Sequence, residues 1–153
     1  MSESLRKGGA KARHEARRRA LQALYQWQVA GQDLGAIEKQ FLEDEEMHMD
    51  RADLEYFRGL LHEVPAHLER WDEQLRPYLD RAVDSLDPVE RAILRLGVYE
   101  LNERLDVPYR VVITEAVELA KTFGAEGSHK YINGVLDKVG RANAMRAAEL
   151  GRA

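Results

Sequence analysis

The sequence predicts an all-α fold, a single-domain helical bundle of about six or seven helices in two subdomains. Three observations predict it. Apolar residues recur in steps of three and four along most of the chain, whereas strand-like alternation does not recur. Gly, Pro and Asp stand where helices would begin and end. The connections between the periodic segments are short.

The elements follow in order. Residues 14–30 lack Pro and Gly and are rich in helix formers, with Ala20, Leu24 and Trp27 on one face and Gly31 as a stop. Asp33 can cap a second helix whose Leu34, Ile37 and Phe41 share a face, closed by the acidic turn Glu43 to Glu46. Leu54, Phe57, Leu61, Val64, Leu68, Trp71 and Leu75 form a long apolar seam. Pro65 interrupts that seam, predicting a kink or two helices meeting there, and Pro77 marks another break. Asp87, Pro88 and Glu90 suit the N-cap, N1 and N3 positions of a helix over about 88–104. A further helix over about 108–123 ends at Gly124 in C-cap position. The last starts near Ser128 as its N-cap and buries Ile132, Val135, Leu136 and Val139. The expected organisation is a basic flexible arm over 1–12, a helical domain over 13–139 and a flexible tail over 140–153. The subdomains are expected to divide near Pro77 to Asp87.

Composition narrows the function classes. The chain has 153 residues, 44% apolar and 33% charged, enough for one core under a solvated surface. No apolar run approaches the roughly 20 residues of a membrane span, and no apolar stretch follows the basic residues at the start, so no secretory signal is read. With no cysteine there is neither a disulfide framework nor a thiolate metal site, and a reducing cytoplasm is the simplest setting. The net charge of −4 is uneven: residues 1–30 balance at +5, residues 31–105 at −10 and residues 106–153 at +1. Such asymmetry suits either an anion-binding arm on an acidic body or a solubilising tail.

Enzyme chemistry finds little support. His62 and His67 are five residues apart with Pro65 between them, the wrong spacing for a two-histidine zinc helix, so no metal site is read. No Gly-rich phosphate loop and no nucleophile elbow occur. Two constellations remain. Arg13, Arg17, Arg18 and Arg19 precede Tyr25, and on a helix Arg18, Gln22 and Tyr25 share a face. Guanidinium groups grip phosphates and tyrosine rings stack on bases, although a solvated basic face with Tyr25 in the core fits the same residues. The second constellation is Ser128, His129, Lys130, Tyr131 and Asn133. There a helix N-terminus and a lysine would meet phosphate, while a ring and an amide would meet an unpaired base. An ordinary capped helix with Tyr131 half-buried fits equally.

Arg17 to Trp27, RRRALQALYQW, resembles the opening helix of the NusB family. AILRLGVYEL and DVPYRVVITEAVELAKTFGAEGSHKYINGVLDK, within Ala92 to Lys138, resemble its C-terminal half, and EYFRGLLHEV and RPYLDR fit its middle. The resemblance covers about residues 13–139. It implies a non-enzymatic transcription antitermination factor without a small-molecule cofactor. Such a factor binds the single-stranded boxA element of nascent RNA together with NusE, a small-subunit ribosomal protein. The pair joins an antitermination complex on RNA polymerase that supports ribosomal RNA transcription. The resemblance assigns RNA contacts to Arg13, Arg17, Arg18 and Arg19, with Gln22 and Tyr25 nearby, and to Ser128, His129, Lys130, Tyr131 and Asn133. It places the NusE surface around Tyr78, Asp84, Glu90, Arg91 and Tyr109. Gly127 stands where some relatives carry an acidic residue, which removes a charge beside the RNA, and Tyr131 stands where some carry Phe. Two alternatives stay open: a module serving a separate RNA-modifying enzyme, and a dimerisation module using the seam from Leu54 to Leu75. The chain would be a monomer or a homodimer.

Overall fold

A computed structural model describes residues 9–150. Residues 1–8 of the expected basic arm lie outside the described residues, and Ala10 to Ala12 already belong to the first helix. The described residues contain no strand. They form eight α-helices: α1 (Ala10–Ala30), α2 (Leu34–Glu43), α3 (Leu54–Ala66), α4 (Leu68–Leu75), α5 (Pro88–Glu103), α6 (Tyr109–Phe123), α7 (Ser128–Ala142) and α8 (Ala147–Leu150). That exceeds the expected six or seven, because the seam splits into α3 and α4 and the tail adds α8.

The chain divides into two compact units, residues 1–66 and 67–153. The division falls at the end of α3 and not between Pro77 and Asp87. Pro65 cannot donate the amide hydrogen that would extend the helical ladder, and His67 leaves helical geometry with φ −125°.

In the first unit α1 packs on α2 and α3. Alanines 12, 16, 20 and 23 are buried along α1, so neighbouring helices can approach its backbone. Gly31 adopts φ +68° and its amide donates to the Trp27 carbonyl at 2.9 Å, a left-handed stop that glycine accepts without a Cβ clash. Asp33 then accepts from the Ala36 amide at 3.0 Å and starts α2. Phe41 of α2 stacks on Phe57 of α3 with centroids 6.3 Å apart. Across the same pair of helices Glu38 accepts from Arg58 at 2.7 Å and lies 2.6 Å from the His62 ring. The expected acidic turn is a pair of 3-10 turns, Glu45–Met47 and Met49–Arg51.

In the second unit α5 is the central element, with every residue from Ala92 to Leu101 buried. Asp87 caps it, accepting from the Val89 and Glu90 amides at 3.0 and 3.2 Å. α4, α6 and α7 all pack on α5. Trp71 meets Tyr99 edge to face at 5.7 Å, and Arg95 forms two parallel 2.9 Å bonds to Asp72, so the one buried charge on α4 is matched by one on α5. Gly97 lets α7 approach closely, since a Cβ there would lie 2.6 Å from Leu136 Cδ1.

The region expected to fray from Gly140 is packed as far as residue 150. Gly140 is buried against the Tyr109 ring, and α7 continues to Ala142. Arg146 is fully buried. Its guanidinium donates to the carbonyls of Glu100, Leu101, Arg104 and Val107 at 2.6–3.1 Å and to Glu149 at 2.8 Å. The Glu100 and Arg104 carbonyls also accept the amides of Arg104 and Val107, and the Leu101 carbonyl also accepts from Asn143, so Arg146 adds further bonds that cap the end of α5 from outside it. Glu149 in turn accepts from the Tyr109 amide at 2.7 Å at the start of α6. Arg146→Met should therefore lose about 1–3 kcal/mol of stability, because the Val107 carbonyl and the Glu149 carboxylate lose their bonds to the guanidinium while the other carbonyls keep a second donor. Urea unfolding followed by circular dichroism measures this, and a midpoint equal to the parent's would refute the capping role.

Candidate nucleic-acid interface

The arginine cluster of α1 does not present one uniform face. Arg13 and Arg17, one turn apart, both lie over the Tyr56 ring of α3, at 4.7 and 5.2 Å from its centroid. Arg17 also donates to the Tyr56 hydroxyl at 3.3 Å and is only 3% exposed. Arg13 keeps part of its surface in solvent beside Asp53, 3.9 Å away. Arg19 points elsewhere, with Nη1 donating to Gln22 at 2.8 Å and to the Met47 sulfur at 3.6 Å. Burial, and then the neighbouring Arg18, hold the Arg19 guanidinium below its ordinary pKa. The expectation that Arg17 and Arg19 offer their guanidinium groups to a ligand thus meets two buried side chains. An aromatic partner and a polar neighbour have drawn them inward. Arg18 remains 39% exposed near Glu15, and Tyr25 is 41% exposed, which removes the reading of Tyr25 as a core residue. Tyr56, which belongs to neither constellation, organises the α1 cluster. Its only signal in the sequence is an aromatic beside the seam residue Phe57.

The second constellation lies at the start of α7. Gly127 occupies the N-cap position with φ +83°, a left-handed geometry that favours glycine, and Ser128 is the first helical residue and not the cap. The Ser128 hydroxyl is buried, has no hydrogen-bond partner among the described residues, and takes up the space at Gly124. Gly124 ends α6 in extended geometry; a Cβ there would lie 2.6 Å from the Ser128 oxygen and 2.8 Å from the Ala120 carbonyl. Lys130 and Asn133 are exposed, and His129 is half-buried. Tyr131 is also half-buried, and its hydroxyl accepts from the Asp80 amide at 3.0 Å and donates to the Asp80 carboxylate at 2.9 Å. Burial raises the phenol pKa, and the Arg81 guanidinium lies 5.4 Å from the ring centroid. The hydroxyl that distinguishes Tyr131 from Phe therefore fixes the Asp80–Arg81 turn.

The residues expected to meet a protein partner separate as well. Asp84 is exposed, and Arg91 donates to the Asp84 and Leu86 carbonyls at 3.4 and 3.3 Å. Tyr78 is half-buried and lines a depression of about 340 Å³ with Gln74, Asn102 and Asn143. Tyr109 does not offer its ring to a partner: it is buried against Gly140, and its hydroxyl donates to Asp137. Glu90 is 8% exposed. Burial pushes its carboxyl above the usual carboxylate range despite the pull of Arg81. A carboxyl with a raised native pKa stabilises the fold fully only below its unfolded value of 4.5, and that contribution is lost as pH rises through the native value. Glu90→Gln should accordingly raise the urea midpoint near pH 7 and change it little near pH 4. Equal effects at both values would mean that the charge is not what costs stability there.

The NusB family profile matches residues 14–141. Transcription antitermination protein NusB of Alkalilimnicola ehrlichii is 55% identical over 157 residues, covering 93% of this chain and 88% of that protein. The protein of the same name from Alcanivorax borkumensis is 60% identical over 130 residues, covering 85% of each. Among solved structures, antitermination factors NusB and NusE in complex with dsRNA match with a TM-score of 0.73 at 30% identity, covering 88% of this chain and all of that one. T. maritima NusB matches with a TM-score of 0.72 at 30% identity, covering 86% and 92%. No helix among the described residues is long and apolar enough to cross a membrane.

Proposed function

The chain belongs to the NusB family, and from that membership we propose that it is a transcription antitermination factor. It binds boxA-type single-stranded RNA together with NusE, acts in the cytoplasm and supports ribosomal RNA transcription as a binding protein, not an enzyme. The observation that carries this reading is the 55–60% identity to proteins named as antitermination factors over most of their length. The likeness to a NusB–NusE–RNA assembly supports the choice of partners.

Exposure divides the labour among the site residues. Arg18, Tyr25, His129, Lys130 and Asn133 meet RNA directly, because each keeps surface in solvent. Arg13 and Arg17 position the exposed residues of α1 through Tyr56, Arg19 does so through Gln22, and Ser128 seats the start of α7. Tyr131 with Arg81 supplies a stacking platform for an unpaired base. Asp84, Arg91 and Tyr78 face NusE, whose basic character suits the acidic balance of residues 31–105.

Fluorescence anisotropy with boxA-type RNA, single-stranded and duplex, with and without NusE, tests the proposal. Single strands should bind more tightly, and NusE should tighten them further. Combining Arg18→Ala with Lys130→Ala should lower the salt dependence of log K by about 0.7 for each phosphate no longer neutralised. A double variant with the parent's slope would remove these residues from the interface. Asp84→Lys, a surface change, should reduce the gain from NusE while leaving binary RNA binding intact. An undiminished gain would place NusE elsewhere.

A further inference from the structure

α6 and α7 pack side by side, and a groove runs along their outer faces. It consists of two contiguous depressions of about 290 and 230 Å³ that share Ile113, Thr114 and Asn133. Lys130 and His129 border one end, and Arg110 and Arg141 border the other. From Lys130 to Arg141 the groove follows α7 for about 16 Å at 1.5 Å per residue.

Its chemistry is one-sided. Arg110 and Lys130 are exposed, and neither forms a salt bridge among the described residues. Asp137 is the one acid in the lining; it pairs with Arg141 at 3.0 Å and accepts from the Tyr109 hydroxyl. One acid thereby offsets three cations: it pairs with Arg141 and also feels Arg110 through space, Lys130 has no acid beside it in the lining, and the groove keeps a net positive charge. Between them Thr114 and Asn133 are exposed and offer hydrogen bonds, while Ile113 and Val117 give an apolar floor. Cations at the ends, with polar and apolar atoms between, suit a polyanion whose phosphates alternate with sugars and bases. A basic protein partner would be repelled.

We propose that bound RNA continues past Lys130 along the α6–α7 groove and that Arg110 holds a phosphate at its far end, with Arg141 beside it. This rests on the RNA-binding reading above and adds residues that it does not contain.

The test uses the full chain and two RNAs, a short boxA-type single strand and the same strand extended by several uridines at each end. Fluorescence anisotropy across a salt series compares the parent with Arg110→Ala, Arg110→Lys and Lys130→Ala. The parent should bind the extended RNA more tightly than the short one. Arg110→Ala should lose most of that gain, and its salt slope on the extended RNA should fall by about 0.7. Its affinity for the short RNA should stay within twofold, and Arg110→Lys should restore the slope. Arg110 is exposed and makes no ion pair among the described residues, so loss of fold is not expected, and an unchanged melting temperature verifies this. The proposal is overturned if Arg110→Ala binds both RNAs as the parent does while Lys130→Ala weakens both. In that case the RNA-binding reading survives and the path ends at Lys130. It is equally overturned if Arg110→Ala impairs NusE capture alone, which would make the groove a protein surface. A parent that binds neither RNA removes the functional reading and this proposal with it.

Discussion

The second unit depends on a guanidinium that never meets water. Arg146 gathers the carbonyls at the end of α5 and in the α5–α6 loop, and with Glu149 it reaches the first amide of α6. A helix end leaves unpaired acceptors, and a loop turning straight into another helix leaves unpaired donors at the next start. One arginine and one glutamate satisfy part of both sets. The consequence extends to the surface, because the start of α6 places Tyr109, and the Tyr109 ring fills the notch at Gly140 on α7. The spacing of α6 and α7, and therefore the groove between them, follows from a contact made inside the unit.

The first unit uses arginine in a similar way. Arg13 and Arg17 both lie against Tyr56, so two cations that would repel each other share one aromatic ring. A guanidinium is weakly hydrated and planar, which makes such burial less costly than it would be for lysine. Four arginines close together in sequence thus fall into different roles. Two stack on Tyr56, one turns toward Gln22 and Met47, and Arg18 faces outward. Placing a cation on a helix says nothing about which of these fates it meets.

This explains which parts of the fold were legible. Helix starts and stops depend on residues within one turn, and Gly31, Asp33 and Asp87 act as their sequence positions suggest. Pro65 gave the break, but the weight of that break was hidden: the units divide there, and the Pro77–Asp87 stretch stays within one unit. The packed tail was illegible because Arg146 meets carbonyls 39 to 46 positions away, and no local pattern in a small, polar segment announces such partners. Gly124 takes the C-cap position its place in the sequence suggests, and it is also required for space beside Ser128. Ser128 departs from expectation, because Gly127 takes the left-handed N-cap position before it. Among the candidate binding residues, the exposed ones stand where the helical register put them. Arg17, Arg19 and Tyr109 turn inward because their partners, Tyr56, Met47 and Gly140, lie far along the chain.

A chain with a net charge of −4 can still bind a polyanion, because the whole charge is not what a ligand meets. At physiological salt the screening length is about 8 Å, so acidic groups beyond that distance contribute little to the field at a given phosphate. What matters is whether nearby cations are already neutralised. Arg95, Arg141 and Arg146 each have an acidic partner within 3.0 Å and bring little net charge to their surroundings. Arg110 and Lys130 have none among the described residues, so their field is available to a ligand. Internal pairing has consumed the cations that hold the helices together, and the unpaired ones mark where an anion gains most.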